Sequence, residues 1–306
     1  MNLLFWNTGR REPLDELIAL VKTLRVDVLI LAECPLSAVE ILERLNTGSH
    51  AVYHLPFNPA DRFTFVVAVP PNRFGPVYDD SGLSIRHVQP PLGRDFLLAA
   101  LHLPSKLFLS DDDQAVLVPR ASQEIERAEH KVGHRRTVVV GDFNMNPFES
   151  GLINSEGFHA VMARSIAAKE RRTVRGVDRR YFYNPMWSLL GDCSPGPPGT
   201  YYYPSSSPQA FFWNTFDQVL LRPALAASFA PGDVRVIDSI GSRSLLTSAG
   251  IPDSSISDHL PLFAVIHVEE FDDAHEESLG AIAHTGRNTD TDANPQGAGG
   301  SAHGHD

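Results

Sequence analysis

Polar side chains with catalytic or metal-binding chemistry stand at the ends of this sequence's short apolar runs, in two opposite senses. Four of them follow an apolar run, namely Asn7, Glu33, His102 and Asp142. Asp217 and the pair Asp258-His259 instead precede one. If these side chains converge, the later strands must run opposite to the earlier ones, so that their starts share an edge with the others' ends. A mixed two-sheet sandwich with helices outside meets this demand, whereas a purely parallel, doubly wound sheet does not.

Seven apolar or alternating runs have the length of a strand and predict the framework of those sheets. They cover residues 3–6, 26–31, 63–69, 96–101, 137–140, 218–221 and 260–268. Helical spacing predicts helices at 12–24, 35–45 and 111–132. Segments rich in Pro, Gly and Ser at 70–81 and 193–209 are expected to be irregular.

Negative charge is concentrated near the end of the sequence. Of the formal net charge of -11, residues 269–306 carry -8 through nine acidic residues and one arginine, which leaves -3 on residues 1–268. The end segment has almost no large apolar residues after Leu279, so burial cannot offset the entropy lost on ordering it. We predict one catalytic domain at 1–268, long enough to bury a large core, and an acidic disordered tail at 269–306.

Cysteine usage and the first residues bear on the cellular compartment. Two cysteines, Cys34 and Cys193, are too few for a disulfide-stapled secreted module, and we expect both to be reduced. The first residues run directly into a predicted strand, without the basic and long apolar segments of a signal peptide. No apolar stretch approaches the ~20 residues that a transmembrane helix needs. The expectation is a cytoplasmic protein without a membrane span, and its oligomeric state is left open.

Two short motifs carry the chemistry. Gly141-Asp142-Phe143-Asn144 closes an apolar run, and a carboxylate with an amide at the end of a buried strand suits metal-assisted phosphate chemistry. Ser257-Asp258-His259 adds a metal ligand or a general base at another strand terminus. Either motif alone is a weak signal, because Asp and Asn commonly close turns through their own backbone.

Six motifs in order resemble the endonuclease/exonuclease/phosphatase superfamily, whose members are similar to DNase I. They are Trp6-Asn7, Leu31-Ala32-Glu33, Leu101-His102-Leu103-Pro104, Gly141-Asp142-Phe143-Asn144, Phe216-Asp217-Gln218-Val219 and Ser257-Asp258-His259-Leu260-Pro261. The resemblance covers residues 1 to about 268. It implies an α/β four-layer sandwich, with two mixed β-sheets packed face to face and helices outside. It also implies hydrolysis of a phosphate ester with a divalent metal, usually Mg²⁺ or Mn²⁺.

The resemblance implies a metal site formed by Asn7, Glu33 and Asp258. Carboxylate and amide oxygens suit a hard divalent cation that keeps several waters for exchange with a substrate phosphate. Taken singly, Glu33 also fits a solvated loop carboxylate, and Asn7 fits a turn residue. The chain departs from the abasic-site endonucleases of the superfamily, because Gly9 stands where they have an acidic residue and Ala32 where Gln is usual. The first departure lowers the odds of abasic-site repair.

The resemblance also implies catalytic roles for five residues. Asp142 would orient the attacking water or accept its proton, and Asn144 would donate to a phosphate oxygen as charge develops. His259 would stabilise the transition state or transfer a proton, with Asp217 fixing its tautomer. His102 would be a second histidine facing the phosphate, oriented by Asp61.

The substrate is the least constrained part of the prediction. We expect a metal-dependent phosphoric-ester hydrolase whose partner is a phosphate-ester substrate, and the favoured reading is a phosphodiesterase or endonuclease acting on nucleic acid. The alternatives are a phosphatase or phosphodiesterase for a small-molecule or lipid phosphate, and a non-catalytic binding protein that keeps the fold. A domain near -3 lacks the bulk basic charge of most nucleic-acid-binding proteins.

Local basic and aromatic segments leave this question open. The densest basic stretch, 164–180, is followed by Tyr181-Phe182-Tyr183, which could add base stacking to phosphate contacts or belong to a solvated, charged insertion. The aromatic segments 201–203 and 211–213 could line a pocket or pack the sandwich, and packing is the commoner use.

Overall fold

Apolar segments of strand length pair into two large β-sheets. The computed structural model describes residues 1–48, 51–105, 111–208 and 210–268. The tail predicted at 269–306 lies outside the described residues, so the domain boundary and the character of the tail stay predictions.

Each of the seven predicted apolar runs overlaps a described strand, and several very short strands occur besides. In chain order they are β1 (Asn2–Asn7), β2 (Val28–Ala32), β3 (Phe63–Val67), β4 (Phe74–Asp79), β5 (Leu83–Val88), β6 (Phe96–His102), β7 (Thr137–Asp142), β8 (Ala160–Val161), β9 (Arg171–Val174), β10 (Val177–Arg180), β11 (Phe182–Tyr183), β12 (Tyr201–Tyr202), β13 (Trp213–Asn214), β14 (Asp217–Leu221), β15 (Val234–Val236), β16 (Ser239–Ile240), β17 (Arg243–Ser244) and β18 (Leu262–Val265).

Within the described ranges, helices occupy the three predicted segments and three short additional ones. They are α1 (Leu14–Leu24), α2 (Ala38–Asn46), α3 (Asp111–Val132), α4 (Ser150–Ile153), α5 (Arg164–Ala167) and α6 (Pro223–Ala226). Single 3₁₀ segments occur at Pro71–Arg73 and Pro185–Leu189. Within the described part of the chain, none of the helices is long and apolar enough to cross a membrane.

Both large sheets are mixed. The first has the order β15-β18-β1-β2-β3, in which only β1 and β2 are parallel neighbours. The second has the order β4-β5-β6-β7-β14-β11-β8, with parallel pairs at β6-β7 and β11-β8. The antiparallel strands β14 and β18 bring their starts to the edge where β7 and β1 end. This is the arrangement that the strand-end pattern predicted.

Alternating residues explain why the sheets stack with helices outside. Leu3 and Phe5 of β1 pack in the core between the two sheets, while Leu4 and Trp6 pack with α1 and α2 on the opposite face. In β7, Val140 faces the same central core, and its neighbour Val139 packs with α3. Successive side chains of a strand point to opposite faces, so each sheet buries both. The four-layer α/β sandwich is confirmed.

The second sheet also contains four strands that the sequence did not indicate, namely β4, β5 and the two-residue strands β8 and β11. Segment 70–81 was expected to be irregular, but it contains β4, and β5 follows it directly. Polar residues interrupt the apolar pattern of β4 and β5, and one of them, Arg86 of β5, is nevertheless fully buried. Its guanidinium donates to Asp79 of β4 at 2.7 and 3.0 Å and to Asn58 at 2.6 Å. A buried arginine is acceptable only with such partners, and a single segment does not reveal them.

Candidate active site

Three neighbouring strands of the second sheet carry predicted site residues to one edge. The register pairs His102 at the end of β6 with Asp142 at the end of β7, and Asp142 with Asp217 at the start of β14. All three residues are buried. Two carboxylates and an imidazole therefore lie side by side at the end of the sandwich.

The first sheet supplies the opposite wall. Asn7 ends β1 and donates a hydrogen bond from Nδ2 to Oδ2 of Asp142 at 3.0 Å, which joins the two sheets. The Asn7 carbonyl accepts a hydrogen bond from Ser257 Oγ at 2.8 Å. Because Asp258 and His259 follow Ser257, this bond fixes the segment that carries them against the end of β1.

His259 is held by a carboxylate behind it. Its Nδ1 donates to Oδ2 of Asp217 at 2.8 Å, and its carbonyl accepts from Trp6 Nε1 at 2.9 Å. Burial alone would lower the pKa of His259, but Asp217, assisted by Asp142 and Asp258, raises it to about 10. The ring is therefore a cation near neutral pH, and its Nε2 lies 4.0 Å from Oδ2 of Asp142.

The turn after β7 is built for close approach. At Gly141, with φ +154°, any Cβ would lie 1.8 Å from the Leu101 carbonyl oxygen, so only glycine fits. Asp142 Oδ1 accepts a hydrogen bond from the Asn144 backbone N–H at 2.8 Å, and Asn144 Nδ2 donates to the Leu103 carbonyl at 2.8 Å. Asp142 and Asn144 thus do close a turn, as the plainer interpretation proposed, and they do so while facing the site.

Burial and neighbouring charge set the protonation of the remaining groups. Burial raises the pKa of the Asp142 carboxyl; His259 and His102 oppose this rise, and Asp217 adds to it. Burial also lowers the pKa of His102 to about 4, against the attraction of Asp142 and with help from the positive charge of Arg62. His102 is therefore a neutral imidazole near neutral pH, beside the cationic His259.

Glu33 and Asp258 project from the first sheet's side into open space. Glu33 has a positive φ of +48°, an uncommon conformation that turns the chain directly after β2. Its carboxylate lies 3.5 Å from His102 Nε2 and 3.4 Å from Arg10 Nε. The departure at Gly9 has a structural reason, because a Cβ there would lie 2.1 Å from Oδ1 of Asp258 and φ is +55°.

A cleft of about 560 Å³ opens over these groups. Seven of the eight predicted site residues line it, namely Asn7, Glu33, His102, Asp142, Asn144, Asp258 and His259. The eighth, Asp217, lies behind His259 and contacts the cleft only through that ring. The eight residues therefore form one group, although 251 positions separate Asn7 from Asp258 in the sequence.

Several lining residues were not among the site residues predicted from the sequence. Arg10 and Arg62 contribute positive charge, and Tyr201 and Phe216 contribute aromatic surface. Tyr201 both lines the cleft and packs against neighbouring rings. Its ring centroid lies 5.4 Å from that of Phe216, on which it stacks, and 4.6 Å from that of His259. The aromatic run 201–203 was the available signal for it, whereas Arg10 had none beyond its closeness to Asn7.

Among the described residues, two sets of side chains at the cleft end of the sandwich offer ligand atoms to a cation. Asp142, Asp217 and His259 have ligand atoms within 4.8 Å of one another, but all three are buried and already bonded to each other or to Asn7 and Asn144. The second set, Asn7, Glu33 and Asp258, lines the cleft with residues that carry amide and carboxylate oxygens. The Asn7 Oδ1 atom accepts one hydrogen bond, from Gly9 N–H at 3.0 Å, and keeps a second lone pair. The second set fits a hydrated, oxygen-seeking cation better.

The structure decides against one alternative that the sequence left open and overturns one contact that the resemblance implied. Tyr181, Phe182 and Tyr183 are buried, so they pack the sandwich and do not stack on bases. The basic stretch before them lies at the end of the second sheet remote from the cleft, since Tyr183 pairs with Leu221 at the far end of β14. Asp61 is exposed, and Nδ1 of His102 has no hydrogen-bond partner among the described residues. The implied pairing of these two residues is therefore absent.

Comparisons with known proteins point in one direction. A family model described as the Endonuclease/Exonuclease/phosphatase family matches residues 4–259. Among curated proteins, no sequence matches.

Solved structures share the fold at low sequence identity. A 3′ phosphatase from Neisseria, bound to a product DNA hairpin, is 17% identical with a TM-score of 0.50, covering 87% of this chain and 99% of that one. ANGEL2, a 2′,3′-cyclic phosphatase, is 15% identical with a TM-score of 0.54, covering 88% and 95%. A humanised TDP2 from D. rerio is 13% identical with a TM-score of 0.50, covering 87% and 98%. Such similarities establish the DNase I-like fold.

Proposed function

Because the chain belongs to the Endonuclease/Exonuclease/phosphatase family, we propose that it is a divalent-metal-dependent phosphodiesterase whose substrate is nucleic acid. The observation that carries the proposal is the shared cleft, into which both sheets bring oxygen ligands, a buried carboxylate and a cationic histidine. Phosphoryl transfer depends mainly on positioning and on charge stabilisation, and these groups supply both.

Asn7, Glu33 and Asp258 are the proposed metal ligands. The chemistry of this donor set, with two carboxylates and one amide oxygen at an open cleft, fits Mg²⁺ or Mn²⁺. When bound there, the cation would polarise a phosphoryl oxygen and offset its negative charge. Glu33 lines the cleft and is half-buried, so a cation in the cleft can reach its carboxylate.

Asp142 is the proposed base or water-orienting group. Its two oxygens accept hydrogen bonds from Asn7 and the Asn144 backbone, which leaves acceptor capacity for a water molecule in the cleft. Burial raises the pKa of Asp142, which improves its strength as a proton acceptor compared with an ordinary carboxylate. Asn144 lines the same cleft, and its proposed role is to donate a hydrogen bond to a phosphate oxygen.

The two histidines have different proposed roles because their charges differ. His259, a cation fixed by Asp217, stabilises negative charge that develops on the phosphoryl oxygens. His102, a neutral imidazole, contributes a hydrogen bond without adding charge beside His259. Arg10 and Arg62 add positive charge to the cleft, which suits a polyanionic substrate even though the domain as a whole is near neutral.

The first test restores metal to stripped protein. We expect hydrolysis of plasmid DNA and of bis(p-nitrophenyl) phosphate to return with Mg²⁺ or Mn²⁺ and to be absent without them. Replacing His259 with Ala should lower kcat by about 100-fold or more, because a preorganised charge at the phosphoryl group is removed. Replacing Glu33 with Gln should weaken activation by the metal.

A second histidine–aspartate pair provides a matched control. His267 Nε2 lies 2.9 Å from Asp233 Oδ2, outside the residues that line the cleft, so His267→Ala should leave kcat unchanged. Hydrolysis of a phosphomonoester or lipid phosphate panel, with none of DNA, would redirect the proposal to a phosphatase. If neither the wild type nor the variants hydrolyse any of these substrates, the result would instead support a binding protein that retains the fold.

A further inference from the structure

Three exposed aromatic side chains stand at the mouth of the cleft. Tyr203, Phe211 and Phe212 are 47%, 65% and 47% exposed, and all three line the same cleft as the proposed catalytic residues. Single exposed apolar residues are common on protein surfaces, but a contiguous apolar cluster beside polar groups typically marks a binding site. We call these three residues the aromatic rim.

The backbone holds part of this rim in an unfavourable conformation. Phe212 has a φ of +61°, which bulky side chains rarely adopt. Its carbonyl accepts a hydrogen bond from the Tyr203 N–H at 2.8 Å, and the Phe211 carbonyl accepts one from the Trp213 N–H at 2.7 Å. Strained residues of this kind are concentrated at binding and catalytic sites, where the surrounding structure fixes them. The fold therefore maintains Phe212 at the cleft despite its conformational cost.

Neighbouring rings support the rim from one side. Phe211 packs against Phe148 with ring centroids 5.3 Å apart, and Phe148 contacts Trp187 at 6.3 Å. Phe211 nevertheless remains the most exposed of the three rim residues. One side of its ring is thus steadied by protein, while most of its surface is available to a ligand.

The rim is joined directly to the proposed catalytic centre. Tyr201, whose ring lies 4.6 Å from that of His259, is on the same short hairpin as the rim, in which Tyr201 pairs with Asn214 and Tyr202 with Trp213. A strand advances ~3.4 Å per residue, so the backbone of Tyr203 lies about 7 Å beyond that of Tyr201. A substrate with its phosphate at His259 would place its adjoining group at the rim.

We propose that Phe211 and Phe212 form a stacking platform for an unpaired base next to the scissile phosphate. The proposal rests on the proposed function and narrows its substrate to nucleic acid that is single-stranded or unstacked at that position. Aromatic rings stack on any base without sequence preference. The Tyr203 hydroxyl and the cleft residue Ser205 add polar groups near the two phenyl rings, which suits a heterocyclic base with polar edges better than an acyl chain.

The test compares a single-stranded oligonucleotide with the same strand carrying abasic tetrahydrofuran residues beside the cleavage site. For Phe211→Ala and Phe212→Ala, we expect KM on the base-containing strand to rise about 10-fold, within the range for loss of one stacked base, while kcat changes little. On the abasic strand the variants should match the wild type. Phe57 is 72% exposed and does not line the cleft, so Phe57→Ala is a matched control that should change neither value.

A second readout does not depend on turnover. Binding of a strand that carries 2-aminopurine at the flanking position should quench its fluorescence in the wild type and in Phe57→Ala, and less so in the rim variants. Equal losses on base-containing and abasic strands, or unchanged quenching in the rim variants, would overturn the platform. Rim-dependent binding to anionic lipid vesicles without any base effect would overturn it as well. Hydrolysis of bis(p-nitrophenyl) phosphate reports on the proposed function separately, because it needs no base.

Discussion

The second sheet buries charged side chains at both of its ends, and the two ends handle them differently. At the cleft end, Asp142 and Asp217 are buried beside two histidines. At the far end, Glu129 of α3 and Arg222, directly after β14, are equally buried. A strand rises ~3.4 Å per residue, so the six residues of β7 separate the two groups by about 17 Å.

The far end is closed by complete pairing. Arg222 donates from Nε and Nη2 to the two oxygens of Glu129 at 2.8 and 3.2 Å, and from Nη1 to the Tyr181 carbonyl at 3.1 Å. Thr137 Oγ1 donates to Glu129 at 2.8 Å, and the guanidinium lies 3.9 Å from the ring centre of Phe182. Opposite charges with matched geometry form a fixed unit that suits a structural role.

The cleft end keeps like charges together and leaves polar atoms unpaired. Asp142 and Asp217 are cross-strand neighbours, and their repulsion contributes to the raised pKa of Asp142. Oδ1 of Asp217 and Nδ1 of His102 are buried without a hydrogen-bond partner in the described part of the chain. Unmatched buried groups lower stability and persist at sites whose ligands use them. At these two groups, pairing distinguishes the structural charges from the proposed catalytic ones, whereas burial does not.

Among the variants that test this contrast, Asp142→Asn at the cleft end should have the largest effect, and that effect should be on activity. We expect kcat on a phosphodiester to fall by at least about 1,000-fold, or about 4 kcal/mol, because the proposed base is lost. The free energy of unfolding should stay the same or rise slightly, since a buried charge beside Asp217 is removed. Steady-state kinetics and urea unfolding measure both quantities. A loss of stability above about 2 kcal/mol would show that the cleft end is held together by its charges, as the far end is.

Glu129→Gln tests the far end. Removing the buried partner leaves Arg222 with only the exposed Glu126, 3.9 Å away, as a counter-charge, so the free energy of unfolding should fall by about 3 kcal/mol. Activity at a temperature where the variant is folded should stay at the wild-type level. The double variant Glu129→Gln, Arg222→Met should recover most of the loss, because no unpaired charge remains. If the single and double variants are equally unstable, the loss comes from packing and the role of pairing is refuted.

Local sequence pattern predicted the features that depend on few residues. Apolar runs with polar ends indicated the strands, and the opposite senses of those ends indicated mixed sheets. Asp142 and Asp217 illustrate why this worked: each is fixed by its position at the end or start of an apolar strand, and the sheet register then places them side by side. Motif order added the assignment of the remaining site residues to one cleft.

Features that depend on distant partners were missed. The strand β5 contains Arg86, and its burial makes sense only with Asp79 and Asn58 in place. The aromatic segments 181–183 and 211–213 look alike in sequence, yet the first is buried between layers and the second reaches the cleft mouth. The hydrophobicity of these aromatic residues predicts that they pack against another apolar surface. Whether that surface belongs to the protein or to a ligand depends on the tertiary fold.

Asp95→Asn tests whether ion pairing at the far end also stabilises the fold where the charge is half-exposed. Its expected effect, on the free energy of unfolding, is smaller than the main effect expected of either of the other two variants. Partial burial would raise the pKa of Asp95, but hydrogen bonds with His87 and Arg136 hold it at about 2, below the ordinary 3.8. A carboxyl whose pKa is lower in the folded protein than in the unfolded chain stabilises the fold fully at pH values above the unfolded pKa. This stabilisation is lost as the pH falls through the folded pKa. After allowing for solvent screening, we expect the variant to be less stable by about 1 kcal/mol at pH 6 and by roughly half of that at pH 3. Urea unfolding of both proteins at the two pH values measures this difference, and a difference that grows on acidification would contradict the assigned pairing.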